Sequence, residues 1–291
     1  MPTGIVTGAR GGFFQVYAEG VSRRCRARGI LKRDGKKIFV GDHVDFEPIG
    51  TEEGIVAAVH ERKTLLVRPP IANVDQALLV FSLVEPDIAY VLLDRLLVVV
   101  QAAGVAPVVV FSKTDLAQKE QLDQAVAMYT KTGFPVLTTN RLEGNAKTLF
   151  APLLSQHITV FAGPSGAGKS SLANQLDERL QLSTGDVSEK LGRGRHTTRH
   201  VQLWPILENG WVADAPGFSQ LDVNLPSRDI RSYYPDFLRF QEECEYRGCL
   251  HLDESDCGVE RAAARGDVAP LRLFHYRQIV QDVMEREARQ Y

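Results

Sequence analysis

Cysteine is scarce in this 291-residue chain, four residues in all. A disulfide-stapled secreted domain uses far more, so that class is excluded. Three of the four crowd into residues 244–257 beside a histidine, which is metal-site usage in a reducing compartment, and the cytoplasm is the expected address. Long apolar runs are also missing. The longest charge-free apolar stretch, Leu96–Ser112, is 17 residues and holds Gln101, Gly104 and Pro107, against the ~20 apolar residues a spanning helix needs. The first 30 residues contain no apolar segment of a signal peptide. Net charge is nearly absent, at −2, which excludes a polybasic tail protein. That balance conceals an asymmetry: residues 1–68 carry 12 basic and 8 acidic side chains, residues 69–225 carry 12 and 15, and residues 226–291 carry 10 and 13. Any nucleic-acid surface is therefore expected in the first segment.

What remains is an ordinary globular composition, 44% hydrophobic and 24% charged, at a length that suggests two or three domains. Residues 1–68 alternate short apolar runs with glycines: Gly4–Val6, Phe13–Tyr17, Ile38–Asp42, Val44–Phe46 and Gly54–Val59. Five short strands of this kind predict a small all-β barrel, and the OB-fold fits their number. Arg68-Pro69-Pro70 reads as a linker. Over residues 69–225, apolar runs (Gln76–Phe81, Val108–Phe111, Val136–Leu137, Ile158–Phe161, Trp211–Ala213) alternate with helical periods such as Ile88–Ala103 and Gln121–Tyr129. That pattern predicts a parallel sheet covered by helices. Residues 226–291 carry no strand signal and end in a helix starting near Pro270, with Leu273, Tyr276, Ile279, Val280, Val283 and Met284 at helical spacing.

Gly163-Pro164-Ser165-Gly166-Ala167-Gly168-Lys169-Ser170 matches G-x-x-x-x-G-K-[ST] in full, between the strand Ile158–Ala162 and a helix read over Ser171–Leu180. Such a loop converges backbone N–H groups on phosphate oxygens at a helix N-terminus. Lys169 would neutralise the β- and γ-phosphates, Ser170 would ligate Mg²⁺, and Ser171 completes the binding stretch. Asp214-Ala215-Pro216-Gly217 lies 51 residues after Gly163 and follows a strand. Asp214 there would hold the water shell of Mg²⁺, and Gly217 would offer its N–H to the γ-phosphate. Cys244-x4-Cys249-x-His251-x5-Cys257 supplies three thiolates and an imidazole, a closed tetrahedral set for one structural Zn²⁺. Arg23, Arg24, Arg26 and Arg28, with Phe13, Phe14 and Tyr17 nearby, suggest phosphate contacts and stacking platforms for RNA; a charged solvated face is the bland alternative.

Ser112-Lys113-Thr114-Asp115 follows the strand Val108–Phe111 and is similar to the guanine-specificity motif N-K-x-D of GTPases. There the Asp accepts hydrogen bonds from N1–H and the 2-amino group of guanine, and the Lys stem packs on the base. Ser112 replaces the usual Asn. In ordinary GTPases this motif follows the P-loop, whereas here it precedes it. The order base motif, P-loop, D-x-x-G is a circular permutation, tolerated when the original termini lie close.

In that order, and with a barrel before it and a zinc segment after it, the chain resembles the circularly permuted, ribosome small-subunit-dependent GTPases (the RsgA/YjeQ family). The resemblance covers essentially the whole length. It implies a multidomain chain: an OB-like RNA-binding barrel at 1–68, a circularly permuted α/β P-loop GTPase at 69–225 and a helical zinc-binding segment at 226–291. It also implies a GTP hydrolase acting late in assembly of the small ribosomal subunit and stimulated by it. Partners would be that subunit, its rRNA and GTP or GDP, with Mg²⁺ and one structural Zn²⁺, in a monomer. The family's second base loop usually reads Ser-Ala; Thr139-Asn140 stands at the matching place. Gly192–Thr198 matches the family's G-x-H-T-T stretch, so Thr197 or Thr198 would close over the γ-phosphate and ligate Mg²⁺. Phe218 occupies the position where Ras-like enzymes place the water-orienting Gln. A phenyl ring cannot orient water, so intrinsic turnover is expected to be slow, with His196 the candidate to accept a hydrogen bond from the water. Two other readings stay open: an RNA-stimulated NTPase with relaxed base choice, which Ser112 and Thr139-Asn140 suggest, and, from another class, an RNA-binding nucleotide switch with little turnover.

Overall fold

The structure, a computed structural model, describes residues 1–33, 35–67, 69–142, 144–177, 180, 201–214 and 222–289, apart from the side chains of Lys32 and Asp214. In chain order its elements are β1 (Thr3–Arg10), β2 (Phe13–Ala18), β3 (Val21–Ala27), α1 (Gly29–Arg33), β4 (His43–Ile49), β5 (Glu53–Val59), β6 (Leu65–Val67), β7 (Pro70–Ala72), β8 (Gln76–Ser82), α2 (Tyr90–Ala102), β9 (Ala106–Ser112), α3 (Lys119–Thr130), β10 (Val136–Thr138), α4 (Ala146–Leu154), β11 (Ile158–Ala162), α5 (Lys169–Leu176), β12 (Gln202–Ile206), β13 (Gly210–Asp214), α6 (Pro235–Leu238), α7 (Gly258–Arg265) and α8 (Pro270–Ala288). They fall into two compact units, one of Met1–Ala77, Glu143–Ser165 and Lys169–Phe218, the other of Leu78–Leu142, Gly166–Gly168 and Ser219–Tyr291.

The first unit opens with a closed five-stranded barrel in the order β1-β2-β3-β5-β4, β4 returning to β1 through Thr3↔Asp45, Gly4↔Val44 and Ile5↔His43. Only β3 and β5 run parallel. Val6, Val16, Cys25, Val44, Phe46 and Val56 fill the interior. The expected strand at Ile38–Asp42 does not form; Val40 makes a lone bridge to Ile71. The fifth strand is instead β3, whose arginines hide its period of two. Arg24 and Arg26 alternate outward around the buried Cys25. The stretch read as a linker is also corrected, because Leu65–Val67 and Pro70–Ala72 pair as an antiparallel hairpin. A register shift between Val6 and Gly8 re-aims β1, and Gly8 then pairs with Gln202 of β12. β12 is antiparallel to β13, an exception to the parallel sheet expected here, while β13 is parallel to β11.

In the second unit β10 and β9 pair in parallel, and every residue of β8 is buried. Among the described residues after Asp222 there is no strand. Pro270 occupies the first turn of α8, where its missing N–H costs nothing. Leu273, Tyr276, Ile279, Val280 and Val283 face the core, and Met284 lies exposed. A buried ionic cluster joins four helices. Arg272 of α8 donates through Nε and Nη2 to Asp236 of α6 (2.8 and 3.1 Å) and through Nη1 to Asp94 of α2. Asp94 also accepts from the Tyr129 hydroxyl of α3 at 3.0 Å and lies 2.8 Å from His275 Nδ1. Burial alone would pull the Arg272 guanidinium down; Asp94 and Asp236 outweigh it and hold the group above its ordinary value.

Candidate nucleotide site, metal centre and basic face

The P-loop leaves the fully buried strand β11 and enters α5. Gly163, Gly166 and Gly168 have φ of 138°, 79° and 89°, a region side chains disfavour, so the loop's turn depends on glycine at these places. Lys169 Nζ folds over the loop and donates to the carbonyls of Gly163 (2.9 Å) and Pro164 (2.7 Å). Ser170 is buried in the first turn of α5, and Ser171 is half-buried beside it.

The Ser112–Asp115 loop meets Ala167, in the same unit and 55 residues from Ser112 along the chain. Ser112, which ends β9, is buried, and its Oγ donates to the Ala167 carbonyl at 2.5 Å. Lys113 adopts φ of 55° and donates through Nζ to the Glu85 carbonyl. Asp115 is exposed. Thr114 N–H reaches the Thr139 carbonyl at 3.4 Å, and Asn140 Nδ2 lies 3.4 Å from Thr114 Oγ1. The tertiary partners of Ser112 and Thr114 were not legible in the motif, which only assigned both to nucleotide. His196, Thr197, Thr198, Gly217 and Phe218 lie outside the described residues, as does the side chain of Asp214.

Cys244, Cys249, His251 and Cys257 converge, their ligand atoms all within 4.8 Å of one another. His251 Nδ1 lies 3.7, 3.5 and 3.4 Å from the sulfurs of Cys244, Cys249 and Cys257. Metal–sulfur bonds of ~2.3 Å and a metal–nitrogen bond of ~2.0 Å at tetrahedral angles give a sulfur–nitrogen edge of about 3.5 Å. The four side chains therefore fit a tetrahedral ion, with Nδ1 the ligating nitrogen, and the cluster can hold a metal. Burial lowers the His251 imidazole to about 4, so it is neutral and its lone pair is available. Burial pushes the Cys249 thiol up to about 12, a cost that a bound cation offsets. Supporting side chains that sequence reasoning missed hold the loop. Glu254 accepts the Leu250 and Leu252 N–H groups (2.7 and 2.8 Å), Arg231 donates to Cys249 O (2.8 Å) and Arg277 to His251 O (2.9 Å). Gly258 has no room for a side chain: a Cβ would lie 2.4 Å from the Phe240 carbonyl oxygen.

On the barrel, the four arginines do not share a face. Arg24 and Arg26 point outward with their guanidinium carbons 3.6 and 4.7 Å from the Phe13 ring centroid. Exposed Arg28 pairs with Glu47. Arg23 turns the other way, toward the Phe46 ring at 5.8 Å, with its Nε buried. The expected stacking platforms are also taken up: Phe13 lies under two guanidinium groups, Phe14 packs on the barrel core, and Tyr17 meets Trp211 edge-on at 5.0 Å. Among the described residues no helix is long and apolar enough to cross a membrane.

A family model described as RsgA GTPase matches residues 59–224, and one described as RsgA N-terminal domain matches residues 3–56. A small ribosomal subunit biogenesis GTPase RsgA of Shouchella clausii is 43% identical over 99% of this chain and 100% of its own length. One from Caldanaerobacter subterraneus is 40% identical over 96% of this chain and 95% of its own. Among solved structures, the chain is similar to YloQ, described as a circularly permuted GTPase (TM-score 0.82, 32% identity, 98% of this chain and 96% of that one). It is also similar to YjeQ from Thermotoga maritima (TM-score 0.84, 30% identity, 97% and 98%).

Proposed function

The chain belongs to the RsgA GTPase family, and on that premise we propose that it is a GTP hydrolase acting in maturation of the small ribosomal subunit, with that subunit as its partner and the cytoplasm as its place of work. The observation that carries the nucleotide reading is the Ser112–Ala167 hydrogen bond, which brings a guanine-type motif against a phosphate-binding loop. In this reading the loop's N–H groups and Lys169 bind the phosphates, Asp115 accepts from the guanine edge, and Ser170 with Asp214 would hold Mg²⁺, which would supply positive charge to the β- and γ-phosphate oxygens. His196, with Thr197 or Thr198, is assigned to the attacking water and γ-phosphate from sequence and family resemblance. The test is steady-state GTP hydrolysis with small subunits, large subunits or neither. Stimulation by small subunits alone is expected, and equal turnover in all three would end the reading.

We assign the metal as Zn²⁺, one per chain, held by Cys244, Cys249, His251 and Cys257. No ligand position is left open, so its role is structural. Protein purified without chelator should contain about one zinc per chain by elemental analysis. Cys249→Ser should lose the zinc and lower the melting temperature, and zinc-free wild-type protein of normal stability would refute the assignment.

Outward Arg24, Arg26 and Arg28 are assigned to rRNA phosphates. If each neutralises one phosphate, replacing all three with alanine should flatten the log–log salt dependence of subunit binding by about 2–3. Arg23→Ala should leave that slope alone because its side chain faces the barrel interior. An unchanged slope in the triple variant would move the contact elsewhere.

A further inference from the structure

Two departures, Ser112 from the Asn of the GTPase motif N-K-x-D and Thr139-Asn140 from the Ser-Ala of the family it resembles, meet at the same loop. Ser112 Oγ carries a single proton, and that proton is committed to the Ala167 carbonyl at 2.5 Å inside a buried contact. The hydroxyl therefore has no donor to offer a base. The next P-loop residue, Gly168, passes close by: a Cβ there would lie 3.5 Å from Ser112 Oγ and 3.6 Å from its Cβ. On the far side of the motif, Asn140 supplies an amide. Its Oδ1 accepts the Leu142 N–H at 2.9 Å, which fixes the side chain, and its Nδ2 faces Thr114 Oγ1 at 3.4 Å. Thr114 is also held by its own N–H to the Thr139 carbonyl.

We infer that Ser112 and Asn140 form a compensating pair of positioning residues: the hydroxyl ties the base-recognition loop to the P-loop, and the amide braces Thr114 from the other side. Together they set the orientation in which Asp115 meets a guanine. The inference rests on the reading of Asp115 as the guanine acceptor. A tether worth one ordinary hydrogen bond changes the fraction of loops in the competent position by about fivefold, and apparent affinity falls by the same factor.

The test measures GDP and inosine diphosphate affinities, since inosine lacks the 2-amino group that Asp115 reads. Ser112→Ala and Asn140→Ala should each weaken GDP binding about fivefold. Inosine diphosphate makes one bond fewer to Asp115 and so gains less from the competent loop position, and each variant should therefore also narrow the preference for GDP over inosine diphosphate. A simple folding defect lowers the active fraction without moving that ratio. Ser112→Thr, which keeps the hydroxyl, should restore both readouts. The double variant should lose less than the product of the single losses, as two braces on one loop are coupled. Asp115→Asn separates the two levels of the argument. If it weakens GDP binding while Ser112→Ala and Asn140→Ala leave affinity and ratio at wild-type values, the pairing is wrong and the guanine reading stands. If Asp115→Asn binds GDP as the wild type does, the guanine reading falls and the inference with it.

Discussion

Lys169→Ala should slow GTP turnover at least about a thousandfold while the protein still folds and keeps its metal. The side chain reaches over its own loop to the Gly163 and Pro164 carbonyls, so its ammonium lies within the loop proposed to bind the phosphates. Its charge is needed most when negative charge builds on the transferring phosphoryl group. Removing it leaves the glycine-shaped backbone intact, because the turn is made by Gly163, Gly166 and Gly168. Single-turnover hydrolysis and thermal unfolding, measured on the same preparation, separate chemistry from folding. A folded Lys169→Ala protein with wild-type turnover would show that the loop does not bind the reacting phosphate.

Arg272→Ala should cost about 3–5 kcal/mol of stability, because it leaves the carboxylates of Asp94 and Asp236 buried and without their cation. Arg272 is 1% exposed, Asp94 0% and Asp236 2%, so water cannot take over the guanidinium's role. Arg272→Lys should recover only part of the loss, since an ammonium cannot reproduce the two-pronged contact with Asp236. Replacing the three charges together, as Asp94→Leu, Asp236→Leu and Arg272→Met, should be far less damaging than Arg272→Ala alone, because no buried charge is then left unpaired. Urea unfolding of the zinc-loaded proteins reads all three. A loss under ~1 kcal/mol for Arg272→Ala would mean that the cluster relaxes to admit water.

The same cluster marks where reading the chain residue by residue stops. Asp94 and Arg95 interrupt the apolar run Leu92–Val100, and the acid is the available signal that something charged must meet it. Its partner lies 178 residues away and belongs to a helix whose apolar spacing alone was noted. β3 was missed for a related reason. Arginine at alternate positions reads as a charged run until neighbouring strands show that Cys25 is inside and Arg24 and Arg26 are outside. β11, by contrast, was legible residue for residue, because a buried parallel strand is a continuous apolar run.

The sequence by itself determined the features whose geometry is set by near neighbours: the glycine spacing of the P-loop, the four metal-ligand types within residues 244–257, and the order of motifs along the chain. Backbone conformations and ligand spacings of this kind depend on a few adjacent residues. Tertiary structure alone decided that Ser112 spends its proton on Ala167, that Asn140 braces Thr114, that Arg23 faces away from Arg24 and Arg26, and that Arg272 is neutralised by two buried carboxylates. Hydrogen bonds and buried ion pairs act only over a few ångströms, and which groups come within that range is set by how distant segments pack.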